Sequence, residues 1–187
     1  MPASVRIAPL APPYEPEIEA MLQRWMPPDA DGIEPLALFR TLAVHPDLCA
    51  RMRPLGTAIL AHGLISPRER EIVIHRACAR AGAGYEWGVH AVAFARRVGL
   101  TDEQLRATAL GGPEDPAWDD GEAPLIRLVD ELHDSCQISD ATWAALAERY
   151  SPAQLLELVV CAGWYRLIAG VINALGIQPE PWAATMP

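Results

Sequence analysis

The chain has 187 residues, 51% hydrophobic and 21% charged, a balance that fits a folded globular core and excludes disorder. A formal net charge of −9 and an isoelectric point near 5.0 exclude a nucleic-acid binder, which needs a basic face, and argue equally against docking on an anionic membrane. The four cysteines, Cys49, Cys78, Cys136 and Cys161, contain no CxxC pair, so reduced, buried thiols in a cytoplasmic protein are expected.

Residues 1–35 hold eight of the 18 prolines, which predicts an extended arm with one short helix from Glu15 to Trp25. Ile18, Met21, Leu22 and Trp25 fall on one stripe of it, so the arm can pack on a body. The opening segment has no apolar h-region, and no signal peptide is expected. From Pro35 the pattern is helical. A short helix is expected over 36–44 and a second over 46–60, with Leu48, Met52, Leu55 and Ile59 as its apolar stripe.

Ser66-Pro67-Arg68-Glu69 is a strong helix start. Serine caps, proline suits the first helical position, and a glutamate three residues on closes a capping box. This helix is expected to run to about Arg80, where Gly82-Ala83-Gly84 breaks it. A further helix is expected from Tyr85 to Val98, ending at Gly99 and packed antiparallel to its predecessor. Others are expected over 101–110, 122–136 and 140–150, with a loop at 111–121.

Ser151-Pro152-Ala153-Gln154 repeats the start at Ser66, and Ala174-Leu175-Gly176-Ile177 echoes Arg97-Val98-Gly99-Leu100, a faint helical repeat. The segment 155–175 is apolar and long enough to span a bilayer. It carries Glu157, Arg166 and Asn173, each costly in lipid, so no membrane association is expected and the segment reads as the buried central helix of the core. No segment alternates like a strand. The fold class expected is all-α, divided into an arm (1–35), a helical domain (36–177) and an extended tail (178–187).

The chemistry concentrates between Glu71 and His90. Glu71 and His75 are four residues apart on one helix, and Glu86 and His90 repeat that relation on the next. Packed face to face, the two helices would bring carboxylates and imidazoles together, and a carboxylate beside histidine fixes its tautomer and raises its pKa. The ordinary alternative is a pair of i,i+4 ion pairs on wet helix faces. That alternative suits Glu86–His90 poorly, because the pair lies among alanine, valine and aromatic residues where an unpaired polar group is costly.

Three stretches carry a resemblance: Ser66 to Ile74 (SPREREIVI), Gly84 to His90 (GYEWGVH) and Ala95 to Leu100 (ARRVGL). Together they resemble the core of the carboxymuconolactone decarboxylase superfamily, which includes the alkyl hydroperoxidase D-type proteins. The resemblance implies an all-helical, alkyl hydroperoxidase D-like bundle assembling as trimers or hexamers. In the thiol branch a glutamate is followed by a CxxC and then a histidine. Aligned on that histidine, Glu71 and His90 match, while the cysteine positions fall on Ala83 and Glu86. Thiol peroxidase chemistry, which needs an attacking thiolate, is therefore disfavoured.

What remains resembles the decarboxylase branch, in which a lactone or related cyclic carboxylate loses CO₂ without a cofactor. On that resemblance His90 is expected to be the proton donor, with Glu86 and Glu71 as its catalytic partners. Tyr85, Trp87, His75, Arg76 and Tyr165 are the expected substrate contacts, and Arg80 and Arg166 are further cations for an anionic substrate. No cofactor and no metal is expected, and the partners expected are a small-molecule substrate and further copies of the chain. Two other readings stand beside this one. Glu71, His75, Glu86 and His90 could hold a metal, although di-iron bundles use Glu-x-x-His. The cluster Trp164, Tyr165, Leu167, Ile168 and Val171 could serve a non-catalytic small-molecule binder.

Overall fold

Two Ser-Pro starts set the helices that organise the molecule, a computed structural model that describes residues 4–26 and 34–187. The first starts helix α4 (Pro67–Arg80) and the second starts α9 (Pro152–Leu175). Both close full capping boxes, Ser66 with Glu69 and Ser151 with Gln154. The remaining helices are α1 (Pro16–Gln23), α2 (Ala37–Leu42), α3 (Pro46–Ala61), α5 (Gly84–Ala93), α6 (Asp102–Leu110), α7 (Ala123–Ser135) and α8 (Asp140–Ala147). Among the described residues there is no strand, so the all-α expectation holds.

The central helix is α4 rather than α9. Every residue from Arg70 to Cys78 is buried, and α4 packs against α5, α6, α7 and α9. Helix α9 covers one side of it through Leu155, Leu158, Cys161, Tyr165, Ile168 and Ile172. The opposite face of α9 is open, with Leu156 66% and Leu167 49% exposed. Length and composition would let this helix cross a membrane, yet it packs on α3, α4, α5, α7 and α8.

The link through Gly82 (φ 64°) turns the chain back on α4 within three residues. Contacts then run in opposite order along the two helices: Ala83 on Cys78, Trp87 on His75, His90 on Glu71. The pair is antiparallel. The helix expected over 85–98 is not continuous. It stops at Ala93, Phe94 leaves helical geometry at ψ −42° with φ −125°, and Ala95–Val98 forms one turn of 3₁₀ helix. The echo between the Gly99 and Gly176 regions is real geometry. Both glycines are left-handed caps, and the following Leu100 and Ile177 N–H groups donate back to Ala95 and Ile172.

Helix α3 corrects the expected stripe. Leu48 and Leu55 are exposed, whereas Cys49, Gly56 and Ile59 face inward. A Cβ on Gly56 would lie in ordinary contact with the Trp164 ring, at 3.4 Å, so the Gly56 face of α3 is the one that packs on α9. Cys136 is also corrected: it is exposed at the end of α7, while Cys49, Cys78 and Cys161 are buried and all four are free. The arm expected over 1–35 lies partly outside the described residues, at 1–3 and 27–33. Its described part packs on the chain's own body, through Arg6 N–H on the Leu175 carbonyl and Leu10 N–H on that of Arg40. The C-terminal residues lie along α5, where Ala184 N–H donates to the Gly88 carbonyl and a Cβ at Gly88 would overlap the Ala184 oxygen.

Candidate functional site

Glu71 and His75 sit on the buried stripe of α4, and Glu86 and His90 on the facing stripe of α5. The antiparallel turn brings all four into one buried set; Glu71 and His75 are fully buried, His90 is 3% exposed and Glu86 7%. Glu71 is the hub. Its Oε2 accepts a 2.8 Å hydrogen bond from His90 Nδ1 and lies 3.9 Å from His75 Nδ1. On its far side His90 Nε2 faces Glu86 Oε1 at 3.6 Å, so the imidazole stands between two carboxylates. Tyr165 from α9 and Phe94 pack on the His90 ring, at centroid distances of 5.1 and 4.9 Å.

Charge decides the protonation states. Burial alone would push His90 down, but the charge and hydrogen bond of Glu71, with Glu86 beyond it, outweigh burial and raise its pKa to about 9. Burial alone would raise Glu71, yet the His90 charge and hydrogen bond, with His75 and Arg70, hold its carboxyl below the usual range. His75 goes the other way: burial, then the neighbouring His90 charge, lower it to about 4. His75 is thus neutral. Its Nδ1 carries the proton, because it lies 2.7 Å from the Glu71 carbonyl, which can only accept. At neutral pH the set contains an imidazolium flanked by carboxylates, with a neutral imidazole beside them.

The other expected contacts divide. Trp87 packs edge-on against His75 at 5.6 Å and donates through Nε1 to Thr108 Oγ1. Tyr85 is buried, and its hydroxyl is taken up by groups outside the four. Its hydroxyl accepts from Leu38 N–H and donates to Glu180, which also takes Ala37 N–H, so it ties α2 to the tail. Arg76 is a correction. It forms a bidentate pair with Asp130 at 2.7 and 2.8 Å and donates to the carbonyls of Thr108 and Gly111, so its donors are committed to holding α4 on α7. Arg76→Ala is expected to lower unfolding stability by about 3 kcal/mol in urea titration while leaving the His90 titration in place. Arg80 pairs with Asp134 and Asp130, and Arg166 donates to the Leu132 and His133 carbonyls. The groove by Arg166, lined also by Ala77, Val129, His133 and Cys136, includes none of the four central residues.

The expected list omitted Arg70. Its Nε lies 3.6 Å from Glu71 Oε1, and its side chain is 10% exposed. Helical spacing passed it over, because it precedes Glu71 by one residue and belongs to a different stripe; only burial of α4 on every side turns it inward. Among the described residues no three His, Cys, Asp or Glu groups are arranged to hold a metal ion. Four polar atoms of the set are buried without a hydrogen-bond partner: Arg70 Nε, Glu71 Oε1, His75 Nε2 and Glu86 Oε2.

Comparison with known proteins agrees with the fold. Residues 46–119 match the carboxymuconolactone decarboxylase family. An uncharacterised peroxidase-related protein from a Silicibacter species superposes with a TM-score of 0.79 at 13% identity, covering 96% of this chain and 94% of that one. The debrominase Bmp8, as a cysteine-to-alanine variant in complex with 2,3,4-tribromopyrrole, superposes at 0.75 and 16% identity over 97% and 95%. An alkylhydroperoxidase AhpD core protein from Ralstonia eutropha gives 0.67 at 14% identity over 94% and 93%. No curated protein matches the sequence.

Proposed function

We propose that this chain is a cofactor-free acid–base enzyme acting on a cyclic carboxylic acid or lactone, a reading supported by the match of residues 46–119 to the carboxymuconolactone decarboxylase family. The reaction favoured is decarboxylation, with related lyase or isomerase chemistry sharing the same proton transfer. The observation that carries this reading is His90, buried and protonated between Glu71 and Glu86. Loss of CO₂ leaves its electron pair on a ring carbon as a carbanion or dienolate. The imidazolium gives its proton to that carbon and becomes neutral, and the Glu86 carboxylate takes up a proton from solvent water and passes it to Nε2, restoring the imidazolium and the carboxylate. Glu71 keeps the ring oriented through Nδ1, which leaves Nε2 as the reacting nitrogen. Neutral His75 adds a buried acceptor without competing as an acid. The debrominase complex, in which a small aromatic ring is bound, supports a ring-sized ligand for this fold.

Thiol peroxidase chemistry lacks its thiolate. Burial, then the charges of Glu86 and Glu71, push Cys78 well above its ordinary range, and burial and Glu71 push Cys161 up as well. Cys136 lies by Arg166 and outside the His90 cluster. Replacing all four cysteines with serine or alanine is therefore expected to leave turnover within about threefold of wild type. The assay is CO₂ release from a panel of carboxylated butenolides and cyclic β-keto acids. A hundredfold loss in the cysteine-free protein would sink the acid–base reading.

We also propose a homo-oligomer, a trimer or hexamer. Leu156, Val160 and Leu167 form an exposed apolar stripe on α9, with Gly163 and Gly170 on the same stripe leaving open space for close approach. Sedimentation equilibrium at micromolar concentration should give a multiple of the 20.4 kDa chain mass; a monomer contradicts this. Free thiols suit a reducing, cytoplasmic setting.

A further inference from the structure

We propose that Arg70 is the anion subsite of this cluster, the group that holds a carboxylate on the ring of the ligand. The proposal rests on the acid–base reading above and names how the substrate is recognised. The other arginines of α4, and Arg166 of α9, are engaged: Arg68 by Glu122, Gln104 and the Gly99 carbonyl, Arg76 by Asp130 and two carbonyls, Arg80 by Asp134 and Asp130, Arg166 by two carbonyls. Arg70 differs. Among the described residues nothing accepts a hydrogen bond from any of its nitrogens; its Nε is buried without a partner, as is that of Arg80, whose Nη2 nevertheless donates to Asp134. Its nearest charge, Glu71 Oε1, stands 3.6 Å away and is itself without a hydrogen bond.

A guanidinium nine-tenths buried whose Nε has no acceptor is an expensive group to keep, because burial removes the water that would otherwise bond that donor. A planar oxyanion answers that arrangement: a carboxylate accepts two parallel N–H bonds from the fork. The other unpartnered atoms cannot do the same. His75 Nε2 is a bare lone pair, and Glu71 Oε1 and Glu86 Oε2 are carboxylate oxygens, so all three are acceptors and repel an anion, which leaves Arg70 as the unpartnered donor. Position fits the chemistry as well. Arg70 and His90 face the two oxygens of one carboxylate, Glu71. An anionic group held at Arg70 therefore keeps the rest of a single ring next to the proton donor. The ligand class is a monocyclic carboxylate, and a neutral ring of the same shape is the discriminated competitor.

The test is equilibrium binding of benzoate and benzamide, followed by ligand-observed NMR at millimolar concentration. Wild type, Arg70→Gln, Arg70→Lys and His90→Gln are compared. Wild type should prefer benzoate by at least about tenfold, the worth of charge-assisted bonds to one guanidinium. Arg70→Gln should lose that preference. Arg70→Lys keeps the charge without the fork and should retain a reduced preference, which serves as the reading if the glutamine variant does not fold. His90→Gln should still prefer benzoate, which separates anion binding from proton transfer. Equal binding of the two probes by wild type, no binding of either, or an undiminished preference in both Arg70 variants overturns the subsite. If the preference follows Arg70 but no cyclic carboxylate is ever turned over, the subsite stands and the acid–base reading falls.

Discussion

Glu71→Gln is expected to reduce turnover of a cyclic carboxylate by about 10²–10⁴-fold and to cost about 3–5 kcal/mol of folding stability. The two losses have one cause. Among the described residues Glu71 is the group that bonds His90 Nδ1, and its charge is the largest influence holding the His90 proton against burial. Glutamine keeps the shape but removes that charge, so the imidazole loses its proton near neutrality and can no longer act as an acid. The amide also faces Arg70, leaving a buried guanidinium without a counter-ion. Steady-state kinetics and urea denaturation on the same preparation measure both effects. A variant that keeps wild-type kcat while losing stability would make Glu71 a structural residue only.

Stability against pH is the second large effect, and the two histidines pull it in opposite directions. The folded pKa of His90 is raised to about 9, above the ordinary value of 6.5. Its contribution is therefore complete below about 6.5 and is lost as pH rises through 9. The folded pKa of His75 is lowered to about 4, so its contribution is complete above about 6.5 and is lost as pH falls toward 4. Each shift corresponds to on the order of 3 kcal/mol. Glu71, held below its ordinary range, adds to the acid-side loss as pH falls through its folded value. The denaturation midpoint should peak near pH 6.5 and fall on both sides. His90→Gln should flatten the decline between 6.5 and 9 and shrink the acid limb to the part that burial of His75 carries, because Glu71 loses the charge and hydrogen bond that hold it low. A wild-type plateau across pH 4 to 9 would show that these groups titrate as they do in the unfolded chain.

Much of this arrangement is legible in the linear sequence because it depends on local rules. Ser66-Pro67 and Ser151-Pro152 announce their helices through capping chemistry, and Gly82 to Gly84 announces the reversal. Once two helices carrying Glu-x-x-x-His are known to be antiparallel, the meeting of Glu71, His75, Glu86 and His90 follows from helical period alone. What was hidden depends on tertiary packing. Which face of α3 turns inward depends on its packing on α9, where Gly56 lies beside Trp164, a contact between helices more than one hundred residues apart in the chain. The placing of α4 at the centre follows from packing on every side, and that packing makes Arg70 a site residue while Asp130 removes Arg76 from that role. The break at Phe94 is likewise unsignalled, since no glycine or proline lies between Val89 and Val98.

The account turns on His90 as the proton donor with no thiol involved. The measurement that reaches it most directly follows CO₂ release in the substrate panel by wild-type protein, by the same protein with its accessible and buried thiols alkylated under mild urea and refolded, and by His90→Gln. Alkylated protein should retain turnover in proportion to the fraction refolded, and His90→Gln should lose at least about a hundredfold. Turnover abolished in fully refolded alkylated protein but preserved in His90→Gln would contradict the account and return the chemistry to a cysteine.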